Sequence, residues 1–170
     1  MASKTPHHEA EAILMEEDKD ECISPRRLNI TWGNDLRYWQ WYDYTERSSS
    51  VCELKQVCWL EVTGAVGVRT GKKYEIGFRV SLKPDAFGWG ETPLYLMAKL
   101  GKQGKYKKKS IYLQDEQREK EFDVPKDRFV IEVSSTLEDS TIYFGLYEVW
   151  SGKWKGGLQI HYAFVKEVTS

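Results

Sequence analysis

Residues 74–82 read Tyr-Glu-Ile-Gly-Phe-Arg-Val-Ser-Leu. Tyr74, Ile76, Phe78, Val80 and Leu82 form one row, and Glu75, Gly77, Arg79 and Ser81 form the other. A period of two sustained over the whole stretch specifies a strand with one face in a core and the other toward water. Lys83-Pro84-Asp85 is expected to end it. Working outward, strands are expected over Glu53–Val62 (Leu54, Cys58, Leu60 and Val62 on one face), Leu94–Leu100, Ser110–Leu113, Phe122–Val124, Phe129–Val133 and Thr141–Val149. A last one carries Leu158, Ile160, Tyr162 and Phe164 in one row, while Arg47–Ser50 and the glycine-punctuated Gly64–Lys73 are connections. About eight or nine short strands, with no helical period after residue 24, imply an all-β chain. The expected architecture is an antiparallel two-sheet β-sandwich or jelly roll, with binding left to loops or an exposed sheet face.

A chain of 170 residues holds one domain with a real core. Residues 1–24 carry seven carboxylates against Lys4 and Lys19, a net of −5, whereas the whole chain is formally −1, leaving +4 on residues 25–170. Lacking aromatics, this segment is expected to be a disordered acidic tail, with a short helix around Ala10–Glu17 and the domain beginning at residue 25. Met1-Ala2-Ser3-Lys4 leads into His7-His8-Glu9 and not into an apolar run, so neither a secretory leader nor a membrane span is expected. Cys52 and Cys58, six residues apart along one expected strand, read as buried, unbridged hydrophobes. Cys22 lies in the tail as an exposed thiol, whose sharper reading is an intermolecular disulfide under oxidising conditions.

Between Leu28 and Tyr44 stand Trp32, Tyr38, Trp39, Trp41, Tyr42 and Tyr44, split by Gly33-Asn34-Asp35. Trp32 ends the row Leu28, Ile30, Trp32 and taken alone reads as core. Trp39 and Trp41 share a strand face opposite Tyr38, Gln40 and Tyr42, so some of these rings should reach solvent. An indole or phenol joins a broad apolar face to a polar tip, which suits a sugar ring. Trp89, between Gly88 and Gly90, is expected to project; Trp150 and Trp154 are further candidates, Trp154 equally a packing residue above Gly156-Gly157. Glu148 continues the row Ile142, Phe144, Leu146. A carboxylate there belongs at the sandwich mouth or in an ion pair. A sugar-binding acceptor and a structural salt bridge both fit.

No enzyme signature is visible. His7 and His8 lie in the tail, and His161 alone leaves too few partners for a metal site or a Ser-His-Asp arrangement. Gly101-Lys102-Gln103-Gly104-Lys105 departs from a phosphate loop in spacing, and Tyr106 stands where Ser or Thr is needed. Carboxylate pairs for glycoside hydrolysis depend on folding and are not readable. The run Lys99, Lys102, Lys105, Lys107, Lys108 and Lys109 reads first as a solvated hairpin end. A nuclear-import signal or a phosphate patch is its functional reading. With Tyr106 and Tyr112 nearby for stacking, a non-catalytic RNA- or protein-binding module is the alternative to a sugar-binding protein.

Leu28-Asn29-Ile30-Thr31-Trp32 followed by Trp39, then Val57-Cys58-Trp59-Leu60-Glu61-Val62, Phe129-Val130-Ile131-Glu132-Val133, and Glu148 with Trp154-Lys155-Gly156-Gly157-Leu158 together resemble the phloem protein 2 family, the Nictaba-type plant lectins. The resemblance covers Leu28 to Val168. It implies a β-sandwich lectin, often a homodimer, that binds N-acetylglucosamine oligomers and glycoproteins without metal or other cofactor. It further implies a cytoplasmic or phloem-sap location. The family's two early tryptophans fall on Trp32 and Trp39, and its C-terminal glutamate is best placed on Glu148. Its import signal would fall on Lys105-Tyr106-Lys107-Lys108-Lys109, where Tyr106 interrupts the run. Association of phloem members with RNA and with disulfide cross-linking directs attention to Cys22.

Overall fold

The computed structural model describes residues 6–10, 21–44, 49–90, 92–113, 118–134 and 140–168. Its strands are β1 (Glu21–Ile23), β2 (Asn29–Ile30), β3 (Trp39–Tyr44), β4 (Ser49–Leu54), β5 (Leu60–Gly67), β6 (Lys73–Phe87), β7 (Leu94–Leu100), β8 (Lys107–Ile111), β9 (Glu121–Val124), β10 (Val130–Glu132), β11 (Thr141–Glu148) and β12 (Gly156–Glu167). One 3-10 turn, Pro25–Arg27, is the only helical element among the described residues.

Two antiparallel sheets result. One runs β10-β6-β12-β4-β3, with β9 also on β6 and β1 on β12; the other runs β2-β5-β11-β7-β8. The sheets face each other across the alternating rows. Tyr74, Ile76, Phe78, Val80 and Leu82 are all buried, as are Ile142, Phe144 and Leu146 opposite. The rings of Phe78 and Phe144 meet between the sheets at 5.9 Å. The chain is therefore a two-sheet sandwich of the jelly-roll kind.

Several local expectations give way. Residues 21–24 are not tail: Glu21, Cys22 and Ile23 pair with Val165, Phe164 and Ala163. Farther upstream, His8 bridges Ile30 and is buried. The expected helix over Ala10–Glu17 falls, beyond Ala10, outside the described residues. The single strand expected over residues 53–62 is two, because the chain leaves one sheet after Leu54 and enters the other at Leu60. Cys52 is buried in β4, whereas Cys58 is half-buried in the crossing segment, and both are free thiols. Burial pushes the Cys52 thiol well above the usual thiol range. Lys83-Pro84-Asp85 does not end β6; it shifts register, so that Leu82 faces Leu158 but Phe87 faces Gly156. A second shift between Ile160 and Tyr162 turns Ala163 and Val165 into the core in place of Tyr162.

Candidate functional site

Four connections pass between the sheets at the same end of the sandwich: β2 to β3, β4 to β5, β6 to β7 and β11 to β12. Six of the seven tryptophans lie on them or on the first residue beyond: Trp32, Trp39, Trp59, Trp89, Trp150 and Trp154. Two of the six are closed to solvent.

Trp39 is fully buried, which corrects its expected place on a sugar-binding face. It opens β3 opposite Leu54, and the pleat turns its ring into the core. Trp89 is likewise corrected. Its flanking glycines do not make it project; Gly88 lets the backbone turn tightly. Gly88 holds φ +88, and a Cβ there would stand 2.5 Å from the Trp154 carbonyl oxygen. The indole folds back and its N–H donates to Gly156 O at 2.8 Å. Trp41 is half-buried, covered by the His8 ring at 4.8 Å and the Arg26 guanidinium at 3.9 Å.

Trp32, Trp150 and Trp154 stay accessible, at 37%, 62% and 53% exposure. The chain leaves the strand after Ile30, so Trp32 never ends a core row; it occupies a turn at φ +65. That backbone is unfavourable for a bulky residue. Its backbone N–H donates to His7 Nδ1 at 2.9 Å, and the His7 and Tyr38 rings meet its indole edge-on. Tyr38 continues to Trp154 at 6.5 Å. Trp150 stands edge-on to Tyr95 at 5.1 Å, beside a hollow of about 460 Å³ lined by Tyr95, Met97, Lys108, Glu148, Trp150 and the Thr92-Pro93 corner.

Glu148 closes the base of the loop carrying Trp150 and Trp154. Its carboxylate pairs with the Lys155 ammonium, and the two side chains are 2% and 1% exposed. It also accepts from the Ser151 backbone N–H at 3.2 Å and the Ser151 hydroxyl at 3.0 Å. Lys155 spends its other donors on Cys58 O at 3.3 Å and Lys153 O at 3.0 Å. Lys155 and Val57 exchange both backbone hydrogen bonds, at 2.9 Å each, which ties this loop to the β4–β5 crossing. Of the two readings left open for Glu148, the structure holds the ion pair. Lys155, Tyr95 and the exposed Trp59 (44%) were missed as site residues. Trp59 and Lys155 stand inside segments that carry the family resemblance, and Tyr95 offered only its strand parity.

Ser81, His161 and Glu121 come together on the outer face of the β6 sheet, contrary to the expectation from the histidine count. His161 Nε2 lies 2.7 Å from Ser81 Oγ, and Nδ1 lies 3.7 Å from Glu121. The proton count opposes a nucleophilic serine. Gln159 donates to Glu53 at 2.9 Å and therefore offers its oxygen to the Ser81 hydroxyl, also at 2.9 Å. With that proton committed to Gln159, His161 must donate to Ser81, the reverse of general-base activation. In the lysine run, Lys107 donates to Val130 O at 2.9 Å and Lys109 lies 3.4 Å from Asp127; Lys105 is exposed.

A two-sheet β-sandwich whose crossovers gather exposed indoles at one end defines the class, and the family model for phloem protein 2 matches residues 18–166. The chain belongs to the phloem protein 2 family. It is 41% identical to Protein PHLOEM PROTEIN 2-LIKE A9 of Arabidopsis thaliana, over 98% of this chain and 99% of that protein. It is 34% identical to a lectin of Luffa acutangula, over 66% of this chain and 55% of the lectin. Among solved structures, the CBM22-1 xylan-binding domain of Paenibacillus barcinonensis Xyn10C shares the fold, with a TM-score of 0.51, 11% identity, and 95% of this chain and 98% of that chain covered.

Proposed function

We propose that the protein is a lectin that binds oligosaccharides at the crossover end of the sandwich. N-acetylglucosamine oligomers, including chito-oligosaccharides and the N-glycan core, are the proposed ligands. The observation that carries this reading is the trio of exposed indoles, Trp32, Trp150 and Trp154, around a loop pinned from below by a buried ion pair. An acetylated pyranose has an apolar face for an indole and a hydroxylated rim for hydrogen bonds. The related lectin of Luffa acutangula supports the same class. If two indole faces each bury about 100 Å², they contribute roughly 5 kcal/mol at about 25 cal/mol per Å². Ordering a flexible glycan consumes part of this, so single sites should bind in the micromolar to millimolar range. A homodimer would raise avidity for glycoproteins.

In this reading Trp39 and Trp89 brace the site from within, and Glu148 holds the loop. The proposed location is phloem sap and the cytoplasm of companion cells and sieve elements. Cys22, exposed on β1, is the proposed cross-linking thiol, tested by a non-reducing gel after oxidation. Calorimetric titration with chitotriose is the main test. Trp150→Ala and Trp154→Ala should each weaken binding about tenfold or more while leaving the melting curve in place, since both rings are more than half exposed. Full-strength binding by both folded variants would refute the site, and any shorter product from chitotriose would turn the reading toward a glycosidase.

A further inference from the structure

The pleat of β8 divides the lysine run. Lys107 and Lys109 share the parity of the buried Ile111 and are engaged on that side, by Val130 O and Asp127. Lys108 has the opposite parity. The register Met97↔Lys108 and Tyr95↔Ser110 puts it on the outer face with Tyr95 and Met97. Its ammonium lies 5.8 Å from the Tyr95 ring and lines the hollow beside Trp150. Among the described residues, no carboxylate lies within ion-pair distance of it. Glu148, also lining the hollow, is already neutralised by Lys155. The hollow thus presents an indole, a phenol and one uncompensated positive charge, in a volume within the roughly 300–1,000 Å³ of ordinary ligand sites.

A neutral sugar would stack there and leave the Lys108 charge to water. A sugar carrying a ring carboxylate would stack and also form a charge-assisted hydrogen bond. We propose that the preferred occupant of this hollow is an acidic oligosaccharide, one built from uronic-acid residues, with Lys108 as the specificity-determining residue. The inference rests on the lectin reading but departs, at this hollow, from its choice of N-acetylglucosamine oligomers: the aromatic rings supply affinity, and Lys108 chooses among sugars.

The test titrates the full chain with trigalacturonate and with its methyl ester, which keeps the rings and removes the charge, while following the Trp150 indole N–H resonance. At low salt the acid should bind about tenfold tighter than the ester, the scale of one charge-assisted hydrogen bond. The gap should narrow as salt rises. Lys108→Gln should weaken binding of the acid to the level of the ester, Lys108→Arg should retain the preference, and Lys109→Gln, on the other face, should leave it intact. Equal binding of acid and ester, or a preference that survives Lys108→Gln, overturns the proposal. So does hexauridylate binding as tightly and with the same Lys108 dependence, which would make the hollow a general anion site. If chitotriose shifts the Trp150 resonance while trigalacturonate does not, the proposal falls and the lectin reading stands. If no sugar shifts it, both fall.

Discussion

Replacing Lys155 with methionine keeps most of the length of the side chain and removes its charge. The ammonium is almost wholly enclosed, so the substitution costs little apolar contact. What remains is the Glu148 carboxylate, 2% exposed, with only the Ser151 N–H and hydroxyl to answer it. Stripping one partner from a buried ion pair costs about 3–5 kcal/mol, because the survivor is an uncompensated charge in a poorly polarisable site. For a chain of this length that corresponds to a fall in Tm of roughly 6–20 °C, a large share of a typical total stability of about 5–15 kcal/mol. Calorimetry and urea titration would read it. Glu148→Leu combined with Lys155→Met should return most of the loss, to within about 1–2 kcal/mol of the parent, since no charge is then buried alone. Below its melting transition, folded Lys155→Met should also bind chitotriose more weakly. Lys155 is too enclosed to meet a sugar, so that loss would come from releasing the loop that carries Trp150 and Trp154. A single variant within about 1 kcal/mol of the parent, or a double variant no better than the single one, would refute the role given to this pair.

Trp39→Ala should cost about 3–5 kcal/mol by emptying a buried site, while Trp39→Phe should lose less and still bind chitotriose; a well-folded Trp39→Phe that no longer binds would put Trp39 back on the sugar face. Gly157→Ala should lower stability by about 2–4 kcal/mol, read as a fall in Tm, because φ is +85 there and a Cβ would lie 2.5 Å from the Ala86 backbone. His161 supplies a pH test. Burial holds its pKa below the ordinary histidine value, with Glu121 opposing and Arg79 reinforcing the shift. The unfolded chain therefore binds the proton more readily, so the contribution is complete above about pH 6.5 and declines as pH falls from there toward the folded value. Urea midpoints at pH 7.5 and 5.5 should show that decline, and His161→Gln should flatten it; an unchanged slope would refute the assignment.

The sandwich was legible where residues alternate without interruption. Tyr74 to Leu82 and Ile142 to Leu146 were read correctly because each side chain has only two choices of face and water decides between them. The reading failed at register shifts. The row Leu158, Ile160, Tyr162, Phe164 extends in sequence but not in space, since a bulge after Ile160 exchanges the faces and lays Phe164 over Gly77. Nothing in those residue types marks the position of the extra residue. Crossings between sheets were equally hidden. Residues 53–62 alternate well enough to pass for one strand, and only the fold shows the chain changing sheets between Leu54 and Leu60. At the site, type and region were readable but orientation was not. Trp89 turned inward because a φ of +88 at Gly88 reverses the chain, while Trp32 turned outward because the strand ended two residues early. Lys155 stood in a segment of the family resemblance, but its pairing was not readable; it matters only after β11 and β12 bring it back to Glu148.

The two early tryptophans associated with sugar binding in the resemblance separate into different roles, and the separation changes how a mutant should be read. Trp32 stands at the surface on a strained turn held by His7 and Tyr38, whereas seven residues later Trp39 anchors the same segment in the core. Loss of binding after changing either residue is therefore expected, but by unlike routes. At Trp32 the loss should appear at unchanged stability, because a partly exposed ring gives up contact with ligand more than contact with protein. At Trp39 the loss should track the fraction unfolded and be restored by cooling or by a ring that fills the same space. The same logic covers Glu148, whose lone pairs are spent on Lys155 and Ser151 before any ligand arrives. In the proposed site, a carboxylate committed in this way would stiffen the loop more than select the sugar, leaving selection to the exposed indoles and to Lys108, whose ammonium pairs with no carboxylate among the described residues.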